Sequence, residues 1–245
     1  RSYTCPALCT EGATLADYRK KFVLVTMPRT GSNALISALW RHPHVYCDYE
    51  LFHPQAIYGA NREYSSIEAR NSEPLPFLDK MVSLGKQKRS DATVYGFKLF
   101  FGHNQAVMQH VLEDTSWTKV FLRRENFLDQ LISNEIAKKT DAWTSKEDGA
   151  EARVAITEKQ FLKFQRKVTG FYSGAQEALS QTEQSSFNVS YTDVATNNYG
   201  PLCRHLGLSE TYALSPTINK QNSAITADKL TNPNEVQDFL ARHGL

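Results

Sequence analysis

The sequence lacks the long apolar runs and the excess of one charge that define two large classes of protein. No apolar run approaches the roughly eighteen residues of a membrane-spanning helix, so we expect no membrane span. The formal net charge of +2 gives no overall basic field, so nucleic acid is not expected as a partner. A hydrophobic content of 41% in 245 residues is typical of a globular protein with a sizeable core.

Cysteine is also scarce. Cys5, Cys9, Cys47 and Cys203 are too few to form a disulfide scaffold in a chain of this length. Free thiols in a reducing compartment are the simpler interpretation and predict a cytoplasmic location, whereas a local bridge between Cys5 and Cys9 is the alternative. The chain begins with Arg1 rather than Met, so a module of a longer protein, or one that has lost a leader, is a further expectation.

The sequence is organised around a strand–loop–helix unit in residues 22–40. Residues 22–27 form a Val- and Leu-rich run typical of a buried parallel strand, and a turn follows at Pro28 and Gly31. Loop amides and a helix N-terminus then converge on one point, which favours phosphate or sulfate. The loop is not the nucleotide-triphosphatase consensus, because no Lys follows Gly31. It adds one cation and three polar side chains that predict an anion site for a nucleotide cofactor: Arg29, Thr30, Ser32 and Asn33.

Strand-like and helix-like segments alternate along the rest of the chain. Further strands are predicted for residues 45–47, 94–101, 118–122 and 186–191, and helices for residues 75–88, 106–112, 127–139, 158–179, 197–205 and after residue 233. This alternation predicts an α/β protein with a central parallel sheet flanked by helices. We expect one domain over residues 1–245, with a lead-in at 1–21, a lid or acceptor loop at 55–73 and a closing segment at 217–245.

A second group of cations follows the strand predicted for residues 118–122. Arg123 and Arg124 stand where that strand meets a helix, as Arg29 does after the first strand. Ser133 lies about two and a half helical turns beyond Arg124, so it can lie beside a group held by that arginine only if the chain bends where the helix begins. A surface ion pair of either arginine with Glu125 or Asp129 is the alternative interpretation.

These two motifs together resemble those of sulfotransferases, enzymes that use 3′-phosphoadenosine-5′-phosphosulfate (PAPS). The motifs are Pro-Arg-Thr-Gly-Ser-Asn from residue 28 and Leu-Arg-Arg-Glu-Asn-Phe-Leu-Asp-Gln-Leu-Ile-Ser from residue 122. The chain is most similar to the bacterial carbohydrate and lipid branch, which includes the trehalose and nodulation-factor enzymes. Thr30 and Asn33 depart from the Ser and Thr that are common there. Supporting matches are Glu-Leu-Phe at Glu50, Gly-Phe-Lys at residues 96–98, Tyr191 with Asp193, and Lys-Gln-Asn at Lys220.

The resemblance implies the P-loop-type nucleotide-binding fold of sulfotransferases and a role for each matching residue. The first loop would hold the 5′-phosphosulfate through Arg29, Thr30, Gly31, Ser32 and Asn33. Arg124 and Ser133 would hold the 3′-phosphate, with Arg123 as the competing assignment, and Tyr191 and Lys220 are weaker candidates for contacts with the nucleotide. Glu50 matches the carboxylate that acts as general base in trehalose-type enzymes.

The chemistry of sulfuryl transfer agrees with these residue types. The acceptor hydroxyl must lose a proton as it attacks, and the departing phosphate must be stabilised, roles suited to Glu50 and to Arg29 respectively. Burial would have to raise the pKa of Glu50 for work near neutral pH. His53 and His103 are rival bases, and Lys98 could face the sulfate. A sulfuryl group carries less charge than a phosphoryl group, so no metal ion is expected.

The leading hypothesis is therefore a sulfotransferase that moves a sulfuryl group from PAPS to a hydroxyl of a carbohydrate, a lipid or a small natural product, leaving 3′,5′-bisphosphoadenosine. The alternatives are a P-loop small-molecule kinase and a non-catalytic nucleotide-binding module. The sequence leaves the acceptor open, and the oligomeric state is also open, with a homodimer as one possibility. Trp143 is expected to anchor the core or a loop, with stacking on a base as the alternative.

Overall fold

The computed structural model describes residues 18–57, 66–141, 143, 152–217 and 226–245. Most of the expected lead-in, part of the expected lid, Cys5, Cys9 and Lys220 lie outside these residues. Within the described part, Cys47 and Cys203 are buried free thiols. No helix there is both long enough and apolar enough to cross a membrane.

Five parallel strands form one sheet, in the order β2-β3-β1-β4-β5. The innermost strand β1 pairs with β3 on one side, for example Val23 with Phe97, and with β4 on the other, for example Leu24 with Val120. The strands are β1 (Lys20–Thr26), β2 (Val45–Asp48), β3 (Val94–Phe100), β4 (Trp117–Arg123) and β5 (Ser186–Ser190).

Helices connect the strands and cover both faces of the sheet. They are α1 (Ser32–Leu39), α2 (Ile67–Ser72), α3 (Pro74–Lys88), α4 (Gln105–Glu113), α5 (Phe127–Thr140), α6 (Glu158–Gln181), α7 (Tyr191–Ala195), α8 (Gly200–His205) and α9 (Pro233–Arg242), with one 3₁₀ turn at Thr226–Lys229. The chain leaves β1 towards β2 and leaves β4 towards β5. These connections diverge at the carboxyl ends of β1 and β4, which is the switch point where open α/β sheets bind ligands.

Side chains of β1 alternate between two cores because successive residues of a strand point to opposite faces. Val23 and Val25 belong to the larger core, which also takes apolar side chains from α3, α4 and α6. Phe22 and Leu24 belong to the core on the other face, under α1 and α8. Burial on both faces explains why the strand is a continuous apolar run rather than an alternating one.

A third, smaller apolar cluster joins the end of the chain to the body. Phe239 of α9 packs with Phe161 of α6 and with Ile132 and Ile136 of α5. An isolated parallel bridge between Val154 and Leu230 adds backbone bonds. The closing helix predicted after residue 233 is therefore present and lies against α5 and α6.

The predicted parallel sheet flanked by helices is confirmed, and three local predictions differ from the structure. The strand predicted for residues 186–191 ends at Ser190, because a capping box between Ser190 and Asp193 begins helix α7 at Tyr191. The expected loop at 55–73 contains a short helix, α2, with Ser66 as its N-cap. The helix predicted from residue 197 begins at Gly200.

Candidate functional site

The segment after β1, residues 28–33, consists of a turn and the first two residues of α1; it has an unusual backbone and is called the anion loop below. Arg29 and Gly31 both adopt left-handed conformations, with φ of 66° and 85°. Left-handed residues in a turn at the start of a helix are typical of the concave backbone surfaces that bind anions in proteins. A Cβ at Gly31 would lie 3.3 Å from the Tyr191 ring and 3.2 Å from Val194, so glycine also permits the close approach of α7.

Hydroxyl groups fix the anion loop to the sheet. The single hydrogen of the buried Thr30 hydroxyl is shared between the Thr26 hydroxyl at 2.7 Å and the Met27 carbonyl at 3.0 Å. Thr26 in turn donates to the Leu122 carbonyl of β4 at 2.8 Å. The side chain of Thr30 thus holds the loop in place, and Ser32 is also buried where α1 begins.

The predicted cation of the anion loop contacts residues from the second motif. Arg29 Nε donates to the Ser133 hydroxyl of α5 at 2.9 Å, and the Arg29 carbonyl lies 3.3 Å from Arg124 Nη1. Burial, and next the positive charge of Arg124, lower the pKa of Arg29, which still carries its charge at neutral pH. The two predicted phosphate subsites therefore adjoin at the switch point, and Arg29, not Arg124, bonds to Ser133.

The consecutive arginines after β4 point to different surroundings. Arg124 lies over the Tyr191 ring at 4.2 Å and within 3.3 Å of Asp129. Arg123 instead lies over the Tyr172 ring of α6 at 4.5 Å and lines a groove of about 770 Å³ along that helix. The Nε atom of each arginine is buried without a hydrogen-bond partner among the described residues. Arg124 is thus the arginine that borders the anion loop.

The sequence analysis missed Gln130, which is fully buried on α5 one turn before Ser133. Its Nε2 donates to the Pro28 carbonyl at 2.8 Å, while its Oε1 has no partner among the described residues. Residues three apart on a helix share a face, so Gln130 and Ser133 both face the anion loop. A polar pair at this spacing within an apolar stripe was the available signal.

Glu50 lies just after β2 and forms an ion pair with the fully buried Lys98 of β3. Lys98 Nζ lies 2.8 Å from Glu50 Oε1 and also donates to the side-chain oxygen of Asn33 in the anion loop. The Glu50 side chain is 18% exposed, so it is open to solvent while it is held by a buried cation. Burial lowers the pKa of Lys98, and the neighbouring carboxylate opposes that shift. Lys98 connects the predicted base to the predicted phosphosulfate loop.

Both rival histidines face the other oxygen of Glu50. Nε2 of His103 lies 3.8 Å from Glu50 Oε2, and Nε2 of His53 lies 4.0 Å from it. Each Nδ1 accepts a backbone N–H, from Phe100 at 3.3 Å and from Gln55 at 3.2 Å respectively. These donors place the proton of each neutral ring on Nε2. Burial lowers the pKa of His103 to about 4, so this ring is neutral at physiological pH.

Glu50, His53, Lys98 and His103 together are called the base cluster below. Within the described ranges, no group of three or more His, Cys, Asp or Glu side chains is arranged to hold a metal ion. Trp143 is 42% exposed, which contradicts a role in the core. Its carbonyl lies 3.5 Å from Arg29 Nη1, so it flanks the anion loop.

Comparison with protein-family models gave no match, and a search of curated proteins gave no significant match. The class of the protein therefore rests on its own fold and site. It is a parallel α/β protein with a loop of left-handed backbone at the switch point of its sheet and a carboxylate–lysine–histidine cluster directly beside that loop.

Proposed function

We propose that this protein is a sulfotransferase that moves a sulfuryl group from PAPS to a hydroxyl of a carbohydrate, a lipid or a small natural product. The observation that carries the proposal is the position of Lys98, which contacts both the Glu50 carboxylate and Asn33 of the anion loop. A base and an anion site joined by one buried cation are what an in-line transfer to a hydroxyl requires. A P-loop-type fold, with β1 leading into the anion loop, is part of this proposal.

The residues present fit a nucleotide with two anionic groups. The left-handed anion loop and Arg29 would hold the 5′-phosphosulfate, and the adjoining Arg124 and Ser133 would hold the 3′-phosphate. The unpartnered Nε of Arg124 is a buried donor at that junction, and such donors are normally satisfied by an acceptor, here a phosphate oxygen. PAPS would supply the activated sulfuryl group.

The geometry favours Glu50 over both histidines as the general base. A neutral histidine whose Nδ1 accepts a backbone N–H and whose Nε2 carries a proton has no free site for another proton. His53 and His103 can instead donate towards Glu50 Oε2 and orient the carboxylate. Glu50 would take the acceptor proton as the new O–S bond forms. Arg29 and the loop amides would neutralise the phosphate released as the old S–O bond breaks.

Thermal unfolding in the presence of two ligands tests the proposal and separates it from a kinase. A ligand at a hundred times its dissociation constant adds about 2.7 kcal/mol to the free energy of unfolding. We expect 3′,5′-bisphosphoadenosine to raise the melting temperature without any metal, and ATP with magnesium to raise it much less. Stabilisation by ATP with magnesium alone would falsify the sulfotransferase proposal and favour a phosphotransferase.

A further inference from the structure

Helix α2 is attached to the body of the protein by one charged side chain. Arg70 is the only buried side chain of this six-residue helix and is 1% exposed. An isolated helix of this length is unstable, so its position depends on tertiary contacts. Burial of a charged residue is costly unless polar groups compensate it, which makes the contacts of Arg70 informative.

Arg70 binds the segment that follows Glu50. Its Nη1 lies 3.0 Å from each of the carbonyl oxygens of Leu51, His53 and Ala56. Its guanidinium group also lies over the Phe52 ring, at 5.6 Å from the ring centre, and its Nε donates to Asn71 at 3.1 Å. One side chain therefore fixes the backbone that carries one member of the base cluster, His53, and that directly follows another, Glu50.

We propose that Arg70 is a positioning residue for the base cluster, which fixes residues 51–56 through three carbonyl bonds and places a positive charge near His103. The inference rests on the proposed sulfotransferase function, in which Glu50 accepts the proton. A fixed segment keeps the Glu50 carboxylate aimed at the acceptor hydroxyl, and small displacements of a base lower the rate strongly.

The charge of Arg70 also reaches the base cluster. Among the described residues, no carboxylate forms an ion pair with Arg70, and its neutralising partners are backbone dipoles. Its positive charge contributes to lowering the pKa of His103, after burial and the nearer groups. Arg70 therefore favours a neutral His103, the form of the ring that can donate its Nε2 proton towards Glu50.

The chain offers a matched control at the amino end of β2, the end away from Glu50. Arg89, at the end of α3, donates through Nη1 to the carbonyls of Trp40 and His42 at 3.1 Å and to that of Val45. It also lies over an aromatic ring, that of Trp40, at 4.3 Å. R89M removes the same kind of contacts as R70M but leaves the base cluster intact.

The experiment compares wild type, R70M, R70K and R89M by four measurements: NMR titration of the histidine rings, hydrogen exchange at residues 51–57, affinity for 3′,5′-bisphosphoadenosine, and release of that product from PAPS in water. We expect R70M to raise the pKa of His103 by about half a unit. It should also speed exchange and slow product release by about tenfold or more. R70K should leave the pKa of His103 unchanged, because the positive charge remains. It should still speed hydrogen exchange at residues 51–57 and slow the release of product. R89M should change none of these, and affinity for the bisphosphate should stay within about twofold throughout.

The outcomes separate this inference from the proposed function. If wild type does not bind the bisphosphate, the proposed function fails and the catalytic role of Arg70 fails with it. If wild type binds it but R70M titrates and exchanges like wild type, or R89M behaves like R70M, the inference alone is overturned. Should R70M not fold, R70K decides. If R70K releases product slowly while His103 titrates as in wild type, the positioning role of Arg70 is supported. Release of product by R70K at the wild-type rate contradicts that role.

Discussion

The two halves of the candidate site differ in how completely the protein satisfies its own polar groups. In the base cluster, the Glu50 carboxylate faces Lys98 through one oxygen and two histidines through the other. Around the anion loop, the backbone at Arg29 is left-handed, and buried atoms of Arg124 and Gln130 have no partner among the described residues. The comparison indicates that the base cluster is preorganised by internal contacts, whereas Arg124 beside the anion loop has a buried donor to offer to a ligand.

The largest effect is expected from removing the charge of the base. Glu50→Gln keeps the shape of the side chain but not its ability to take a proton, so release of 3′,5′-bisphosphoadenosine from PAPS should slow by about 100- to 1000-fold. Calorimetry should show unchanged affinity for the bisphosphate, because Glu50 lies outside the anion loop. Glu113→Gln, on the exposed surface of α4, is the control and should keep wild-type rates. Equal rates in the E50Q variant and wild type would indicate a pure binding protein.

Acid should weaken the fold through His103. The pKa of this ring is about 4 when folded against an ordinary 6.5, so between these values only the unfolded chain binds the proton. Stability is therefore lost as the pH falls through this window, by up to about 3 kcal/mol. Urea unfolding of His103→Gln at pH 7 and pH 4.5 should show a smaller loss than wild type. An equal loss in both proteins would mean that His103 is not held neutral in the base cluster.

Asp48, two residues before Glu50, should change the pH dependence of the free energy of unfolding in the opposite direction. Burial raises the pKa of this carboxyl to about 6 from 3.8, although Tyr95 donates to it at 2.8 Å. The folded state then binds the proton more tightly, and stability from this group is lost as the pH rises through the window. Relative to wild type, Asp48→Asn should gain up to about 3 kcal/mol between pH 4 and pH 7 in the same urea measurement. If the free energy of unfolding of Asp48→Asn does not increase relative to wild type between pH 4 and pH 7, the raised pKa of Asp48 is contradicted.

Around the anion loop, variants of the two neighbouring arginines should differ in their affinity for 3′,5′-bisphosphoadenosine. Arg124→Met removes a charged donor beside the anion loop, and the dissociation constant should rise by about 10- to 100-fold. Arg123→Met alters the groove beside Tyr172 and should change the dissociation constant by less than about threefold. If the two variants weaken binding equally, the assignment of the 3′-phosphate to Arg124 is wrong.

A smaller effect is expected from the backbone of the anion loop. Gly31→Ala places a Cβ on a left-handed residue within 3.3 Å of Tyr191, so the free energy of unfolding should fall by about 1–3 kcal/mol. Gly174→Ala in α6 meets no atom within 4 Å and should raise it by about 0.5–1 kcal/mol. Denaturant unfolding of both variants measures the contrast. A neutral Gly31→Ala would mean that the loop tolerates a right-handed backbone.

Much of the fold could be predicted from sequence because its three central strands are rich in buried apolar residues and its main helices have an apolar stripe. Helix α2 could not, since its only buried side chain is a cation and its sequence carries no apolar period. Helix α7 was predictable in principle from the Ser190–Asp193 capping box, but the β-like run before it was extended too far. Local sequence patterns predict helices and strands that bury apolar surface, but they do not predict elements that are held in place by polar contacts.

The same limit applies to the site. The positions of Arg29, Arg124 and Glu50 at strand ends were enough to predict a shared edge of the sheet. The contacts of Lys98 with Asn33, and of Arg29 with Ser133, join segments far apart in the chain and depend on packing that no local pattern contains. For this reason the sequence named residues of the site but not the connections among them.

Tyr191 connects the edge strand β5 with the anion loop that follows the central strand β1. Its ring packs against Gly31 and under Arg124, and it is the first residue after the edge strand β5. Edge strands fray and recruit foreign peptides more readily than central ones. Peeling β5 away, or pairing another chain along it, would remove the Tyr191 ring from beside the anion loop while the three central strands stayed in register.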